Sequence, residues 1–232
     1  MKKIIIITGT RKGLGKQLAE HFLNNGHIVA GCSRGSGSIE HLNYKHYEVD
    51  VSDEIEVISM IHNINRAYRR IDILLNNAGI AAMNHLVTTP YNSAKNVFDT
   101  NFFGTFLFTR EVSKVMIKQK AGVIVNYSTV AVPLNLEGEA VYAASKAAIE
   151  SLTKISSKEL GQFGIRVNAI GPTPVQTDLI RNVPKDKLEE LLNQQSIHRF
   201  GTFDDVINLV DFFIDDRSDF ITGQIIYLGG VM

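Results

Sequence analysis

Hydrophobic residues follow two alternating rhythms along almost the whole chain. Short runs dense in Ile and Val occur at Lys3–Thr8, His27–Ser33, Lys45–Val49, Ile71–Asn76, Gly122–Ser128, Arg166–Ile170 and Gln224–Leu228. Most of them lack polar alternation, which predicts strands covered on both faces in a parallel sheet. Between them, apolar positions recur at helical spacing over Leu14–Asn24, Glu54–Arg69, Ser93–Gln119, Val141–Gln162 and Asp204–Asp215. This alternation predicts an α/β fold, a doubly wound, Rossmann-like parallel sheet with helices on both faces. Right-handed crossovers then bring the carboxyl ends of the strands to one rim, where ligands bind. No Pro/Gly-rich linker or repeat interrupts the pattern, so residues 1–232 are expected to form one domain. Asp178–Arg199 differs: Pro184, several charges, and Leu188, Leu191 and Leu192 suggest a short amphipathic helical insertion. A surface helix pair would satisfy that pattern, but its place after a strand's carboxyl end favours a substrate lid.

Composition narrows the classes. The chain has 232 residues, 44% of them hydrophobic, enough for a sizeable core. Twenty-four basic residues balance twenty-four acidic ones, which argues against nucleic acid and anionic membrane as partners. Cys32 is the single cysteine, so no internal disulfide forms and a reducing compartment suits the chain. Met1-Lys2-Lys3 and the isoleucines after it look like the start of a signal peptide, but Thr8-Gly9 ends that run too early. No segment approaches the ~20 apolar residues of a membrane span. A cytoplasmic protein is expected. Seven histidines show no metal-ligand spacing, and no catalytic metal is expected.

Chemistry enters at the first strand-to-helix junction, Thr8-Gly9-Thr10-Arg11-Lys12-Gly13-Leu14-Gly15. Glycines there let the backbone turn sharply and let a pyrophosphate approach the helix N-terminus. The spacing is neither the G-x-G-x-x-G fingerprint nor a P-loop. It resembles the glycine motif of the short-chain dehydrogenase/reductase family, and the resemblance extends over essentially the whole chain. Asp50-Val51 is similar to the family's adenine-contacting acid and its neighbour. Asn76-Asn77-Ala78-Gly79 matches its NNAG signature, Asn101, Tyr142 and Lys146 match three catalytic positions, and Thr222-Gly223-Gln224 precedes its usual last strand. The resemblance implies a nicotinamide-dependent oxidoreductase acting on a carbonyl/alcohol pair.

Charge indicates which nicotinamide. A carboxylate after the second strand suits the ribose hydroxyls of NAD, whereas a 2′-phosphate calls for cations there. Here that strand ends Gly31-Cys32-Ser33-Arg34, with no acid until Glu40. Lys12 adds a cation beside the same pocket. By similarity, Lys12 and Arg34 stand where NADP-preferring members carry basic residues, so NADP(H) is expected over NAD(H).

Tyr142 and Lys146 are four residues apart in a helical segment and so share one face. A phenol of unperturbed pKa about 10 is a poor acid/base at neutral pH, and a nearby ammonium is expected to lower it. In the family a serine polarises the substrate carbonyl, usually thirteen residues before the tyrosine. That register falls on Thr129, with Ser128 one residue further away. Either hydroxyl can donate to a carbonyl oxygen, but neighbours in an extended segment point oppositely. Thr129 is favoured on register; Ser128 remains the alternative if the loop carries one extra residue. Asn101 resembles the helix-kinking asparagine whose bound water links the lysine to solvent.

The mechanism implied is hydride transfer from the nicotinamide to the carbonyl carbon while Tyr142 protonates the oxygen. Thr129 or Ser128 orients that oxygen, and Lys146 binds the nicotinamide ribose and begins a proton relay through Asn101. Gly171-Pro172-Thr173-Pro174-Val175-Gln176-Thr177 resembles the family's Pro-Gly loop, with Pro172, Val175 and Thr177 at the nicotinamide. Thr173 departs from the usual Gly, and the last stretch, Tyr227-Leu228-Gly229-Gly230, lacks the common acid. The substrate is expected to be a small carbonyl compound, with a carrier-bound 3-oxoacyl thioester as one candidate. Lys114, Lys118 and Lys120 could meet a carrier protein's acidic surface, although a solvated helix end accounts for them as well. A non-catalytic NADP-sensing or scaffold protein on the same fold is the alternative function, disfavoured by retention of Tyr142, Lys146 and Asn101. Phe102, Phe103, Phe106, Phe108 and Val112 spread around more than one helix face, which predicts a homodimer or homotetramer.

Overall fold

The computed structural model describes residues 2–175 and 185–231. Its centre is a seven-stranded sheet: β1 (Ile4–Thr8), β2 (Ile28–Ser33), β3 (Tyr44–Glu48), β4 (Ile73–Asn76), β5 (Gly122–Tyr127), β6 (Ile165–Gly171) and β7 (Ile225–Tyr227). The strands lie in the order β3-β2-β1-β4-β5-β6-β7, and every neighbouring pair is parallel. The chain therefore runs outward from β1 to one edge, returns beside β1 with β4, and runs outward again. That reversal makes a crevice at the carboxyl ends of β1 and β4.

The isoleucine run of β1 shows why the sheet needs helices on both sides. Ile4 and Ile6 enter one core with Leu74, Ile124 and Val167, under α2 (Glu54–Tyr68) and α4 (Gly104–Gln119). Ile5 and Ile7 enter the other with Leu75, Val125 and Ile170, under α1 (Gly13–Asn24) and α8 (Phe203–Ile214). All four side chains are buried, and the first polar residue of the strand, Thr8, comes only at its carboxyl end.

The Ser93–Gln119 pattern, read as one helix, is broken. α3 (Tyr91–Phe98) leads into a π-helical turn at Asp99–Phe103 before α4 begins. The backbone passes close to Val51 there: a Cβ on Gly104 would stand 2.7 Å from Val51 Cγ2. The apolar stripe also divides more simply than expected. Phe108 and Val112 are core, Phe102 and Phe106 are half-buried, and only Phe103 is exposed.

A polar ladder ties the sheet to α6 (Ala140–Gly161), which follows the short α5 (Ala131–Leu134). Asn76 Nδ2 donates to Thr109 Oγ1 at 3.0 Å and to Asn126 Oδ1 at 2.8 Å, and Asn126 Nδ2 donates to Thr153 Oγ1 at 2.9 Å. These buried groups hold α4, β4, β5 and α6 in one register, which sets the height of everything α6 carries. After β6 comes α7 (Lys185–Asn193), whose Leu191 packs with Val130 and Val231. Residues 178–184 of the expected lid, and Gln176 and Thr177 before it, lie outside the described residues. Among the described residues no helix is long and apolar enough to cross a membrane.

Candidate active site

The glycine turn is formed as an open cradle. Gly9 and Gly13 adopt φ of 78° and 59°, in the left-handed region that side chains avoid. A Cβ on Gly15 would stand 2.3 Å from Gly9 O and 2.4 Å from Asn77 Nδ2, so the helix start is laid directly on the turn. A Cβ on Gly13 would meet nothing within 4 Å, leaving its backbone facing open space. Lys12 is the N-cap residue of α1, makes no side-chain cap, and no acid occupies the first turn. The N-terminal N–H groups of α1 are thus offered to an incoming anion. α8 is the opposite case: Thr202 and Asp205 form a reciprocal capping box. The α1 turn fits a dinucleotide's pyrophosphate.

Around it, the expected cofactor residues gather on the same rim. Asn77 Nδ2 donates to Thr8 O at 2.9 Å, and Ala78 N donates to Thr8 Oγ1 at 2.9 Å, locking the segment after β4 to the end of β1. Arg11, Lys12 and Arg34 are exposed, while Leu14 and Ser33 are half-buried. Asp50 sits after β3 with Val51 buried behind it, and its Oδ1 accepts from Ser52 N at 3.0 Å and Ser52 Oγ at 2.7 Å. Pro172 O accepts from Val130 N at 3.2 Å, which joins the loop after β6 to the loop after β5.

Thr173 has a local explanation. Its Oγ1 donates to Gln195 Oε1 at 2.5 Å, and its methyl lies against Gly201, where a Cβ would come within 2.8 Å. Gln195 is buried, and no feature of the sequence pointed to it.

The two neighbouring hydroxyls after β5 diverge. Ser128 Oγ turns into the protein and donates to Glu150 Oε1 at 2.5 Å, an oxygen that also accepts from Tyr227 at 2.6 Å. Thr129 makes no such contact with Glu150: its Oγ1 accepts from Ala131 N at 3.2 Å, and its hydroxyl favours ionisation of the Tyr142 phenol. Glu150 is the second residue that sequence reading passed over. It stands one helical turn after Lys146, so the argument that paired Tyr142 with Lys146 extends to it.

Lys146 is buried and donates through Nζ to Tyr127 O at 2.8 Å. Asn101 is fully buried in the π-helical turn. Its Nδ2 donates to Ile80 O and to Ser145 Oγ, each at 3.0 Å, while its Oδ1 accepts from Ile80 N at 2.8 Å. Gly79 separates Asn101 from Lys146: a Cβ there would lie 3.3 Å from Asn101 Oδ1 and 3.4 Å from Lys146 Nζ.

One electrostatic expectation is reversed. The Tyr142 phenol is not lowered but pushed up to about 12, by burial first and by the Glu139 carboxylate, against the opposing Thr129 hydrogen bond. Part of the Tyr142 ring remains accessible, yet the side chain sits deep among protein atoms, and that surrounding governs the shift. Burial also brings the Lys146 ammonium down to about 8. Desolvation disfavours both charged forms and is the largest cause of each shift.

The fold and this rim define the class. A family model described as enoyl-(acyl carrier protein) reductase matches residues 9–231. The chain belongs to the short-chain dehydrogenase/reductase family of oxidoreductases. It is similar to the 3-oxoacyl-(acyl-carrier-protein) reductase FabG of Staphylococcus epidermidis, 32% identical over 242 residues covering 100% of this chain and 99% of that one. The FabG of Salmonella typhimurium is 28% identical over 236 residues, covering 99% and 97%. Among solved structures, ElxO with NADP bound superposes with a TM-score of 0.90 at 30% identity, covering 98% of this chain and 97% of that one. Ligand-free Thermoplasma acidophilum aldohexose dehydrogenase gives 0.89 at 27% identity, covering 99% and 94%.

Proposed function

We propose that this protein is an NADP(H)-dependent carbonyl reductase acting on a ketone or secondary alcohol, with a carrier-bound 3-oxoacyl thioester as the leading substrate. The observation that carries the reading is the gathering at one end of the cleft of buried Lys146, Tyr142 one helical turn before it, and Thr129, whose hydroxyl bears on the phenol's acidity. Two hydroxyl donors at the same end of the cleft suit a carbonyl oxygen that gains negative charge. A bound nicotinamide supplies or accepts the hydride. Tyr142 gives its proton to the substrate oxygen in reduction and takes it back in oxidation. Thr129 orients that oxygen, while Ser128, turned toward Glu150, supports the strand end. Lys146 supplies positive charge beside the phenolate that forms and binds the ribose. Asn101, across Gly79 from Lys146, stands on the route by which the proton is replaced.

Support for NADP(H) comes from Lys12 and Arg34 at the adenosine end and from the NADP in the ElxO structure. Support for an acyl thioester comes from the FabG relatives. The family model's description names an enoyl substrate, but a donor pair of this kind serves a C=O more directly than a C=C. The insertion around α7 is assigned as a substrate cover, because Leu191 packs on Val130, next to Thr129. Pro172, Val175 and Thr177 are assigned to the nicotinamide end. Exposed Phe103 on the π-helical turn and Ile155 on α6 support self-association through these helices. Sedimentation at micromolar concentration should give a dimer or tetramer; a single species near 25.7 kDa would remove that part of the reading.

The experiment for the activity is a panel of carbonyl compounds with NADPH, followed by cofactor absorbance. A 3-oxoacyl thioester should be consumed faster than simple ketones or aldoses. NADPH binding without turnover of any carbonyl would turn the reading toward a sensor.

A further inference from the structure

A chain of polar side chains runs under the loop that follows β2. Tyr44 and His46 lie two residues apart on edge strand β3 and therefore on the same face. The Tyr44 hydroxyl is 2.8 Å from Thr10 Oγ1 and 2.8 Å from His46 Nδ1. On the far side of the ring, His46 Nε2 is 2.9 Å from Gly35 O and 3.1 Å from Ser33 Oγ. Ser33 Oγ donates to the same Gly35 O at 2.7 Å.

The proton positions follow from a single acceptor. A carbonyl only accepts, so His46 Nε2 carries the ring proton and Nδ1 is the acceptor. Tyr44 then donates to Nδ1, and its oxygen is left to accept from Thr10. The chain runs in one direction, from Thr10 through Tyr44 and His46 to Gly35. The backbone is laid tightly against it. A Cβ on Gly31 would stand 2.4 Å from both Thr10 Oγ1 and the Tyr44 hydroxyl, and one on Gly37 would stand 2.6 Å from His46 Nδ1.

Backbone bonds from Gly9 N and Thr10 N to Cys32 O, at 2.8 and 3.1 Å, already join the glycine turn to the end of β2, and the side-chain chain carries that link onward to Gly35. Thr10 belongs to the glycine turn at the start of α1. Ser33 and Arg34 lead the Gly- and Ser-rich segment Arg34-Gly35-Ser36-Gly37-Ser38, which has no regular structure. Glycine-rich backbone loses the most freedom when it is ordered, so holding it beforehand favours any ligand that uses it. We propose that Tyr44 and His46 are positioning residues that fix residues 33–37 to receive a phosphate monoester, and thereby set the preference for NADP(H) over NAD(H). This rests on the NADP(H) reading given under Proposed function. A 2′-hydroxyl in place of the 2′-phosphate makes little use of Ser33 and Arg34, so loop order matters much less for NADH.

The test compares dissociation constants for NADPH and NADH at fixed ionic strength, with kcat at saturating NADPH measured alongside. Tyr44→Phe removes one hydroxyl from the chain; His46→Phe keeps a ring and removes both nitrogen contacts. Each should weaken NADPH by roughly 10-fold and NADH by less than about twofold. The kcat at saturation should stay within about twofold, since the reacting groups lie at the other end of the cleft. The double variant should be little worse than His46→Phe, because both act through one chain. His46→Gln, which keeps a donor amide, should recover most of the NADPH affinity. Equal weakening of both cofactors, or additive losses in the double variant, would overturn the proposal. If the unmodified protein prefers NADPH and both variants keep that preference, only this inference fails. If the unmodified protein binds the two equally, the NADP(H) reading fails and takes this proposal with it.

Discussion

At the end of the cleft that holds Thr129, Tyr142 and Lys146, polar groups are packed among protein atoms and their ionisation follows burial. At the adenosine end, Lys12 and Arg34 are exposed at the surface. The same kinds of atom therefore do different things at the two ends. Buried donors act at short range and alter a barrier; exposed cations act through solvent and alter an affinity. Changes at the first end should appear in turnover and resist salt. Changes at the second should appear in binding and fade as salt rises.

The hardest break is Tyr142→Phe, which deletes the proton donor and keeps the ring. Turnover should fall by about 10²- to 10⁴-fold with cofactor affinity little changed. A loss confined to KM would place the proton donor elsewhere.

Next comes the pair of adjacent hydroxyls. Thr129→Val keeps volume and branching, and should lower turnover by about 10²-fold or more. Ser128→Ala should be mild in turnover, with its cost appearing as lost stability because Glu150 loses a partner. The reverse ranking in steady-state kinetics would make Ser128 the carbonyl donor.

At the exposed end, Arg34→Ala should remove about 1.5–3 kcal/mol of the preference for NADPH, roughly a 10- to 150-fold change. Repeating the titrations at higher ionic strength should shrink that difference, whereas the Thr129→Val defect should be unaffected. A salt-insensitive Arg34 effect would mean that the two ends are not distinct in this way.

The smallest effect is on pH. Lys146, lowered to about 8, is charged below that value and neutral above it, while Tyr142 at about 12 stays protonated throughout. Reduction should be flat on the acid side and lose roughly tenfold by pH 9 if the ammonium is needed. Stopped-flow reduction rates across pH 6 to 10 measure this; a fall beginning only near pH 10 would show that Lys146 keeps its ordinary acidity.

Much of the molecule could be read from local pattern. The isoleucines of β1 and the periodic stripes of α1, α2 and α8 are short-range signals, and each specifies a two-faced or one-faced burial that a parallel sheet covered by helices satisfies. The glycine turn was legible because positive φ and close backbone approach restrict residue type at that position. The spacing of Tyr142 and Lys146 sufficed to put them on one face, since a helix converts sequence distance directly into angle.

Tertiary structure decided what depends on surroundings. Whether Tyr142 is lowered or raised turns on how many protein atoms crowd it and on Glu139, and spacing carries neither quantity. The π-helical turn at Asn101 ends at Gly104, where Val51, about fifty residues earlier in the chain, leaves no room for a Cβ. The divergence of Ser128 and Thr129 became definite only when Glu150 and Tyr227 closed on one of them. Thr173 looked anomalous until Gln195 and Gly201 were found beside it. Tyr44 and His46 carry no motif at all; an edge strand brings them between two loops from other parts of the chain. Periodicity is a property of neighbours in sequence, but desolvation and hydrogen-bond partnership belong to neighbours in space, and only the folded chain supplies those.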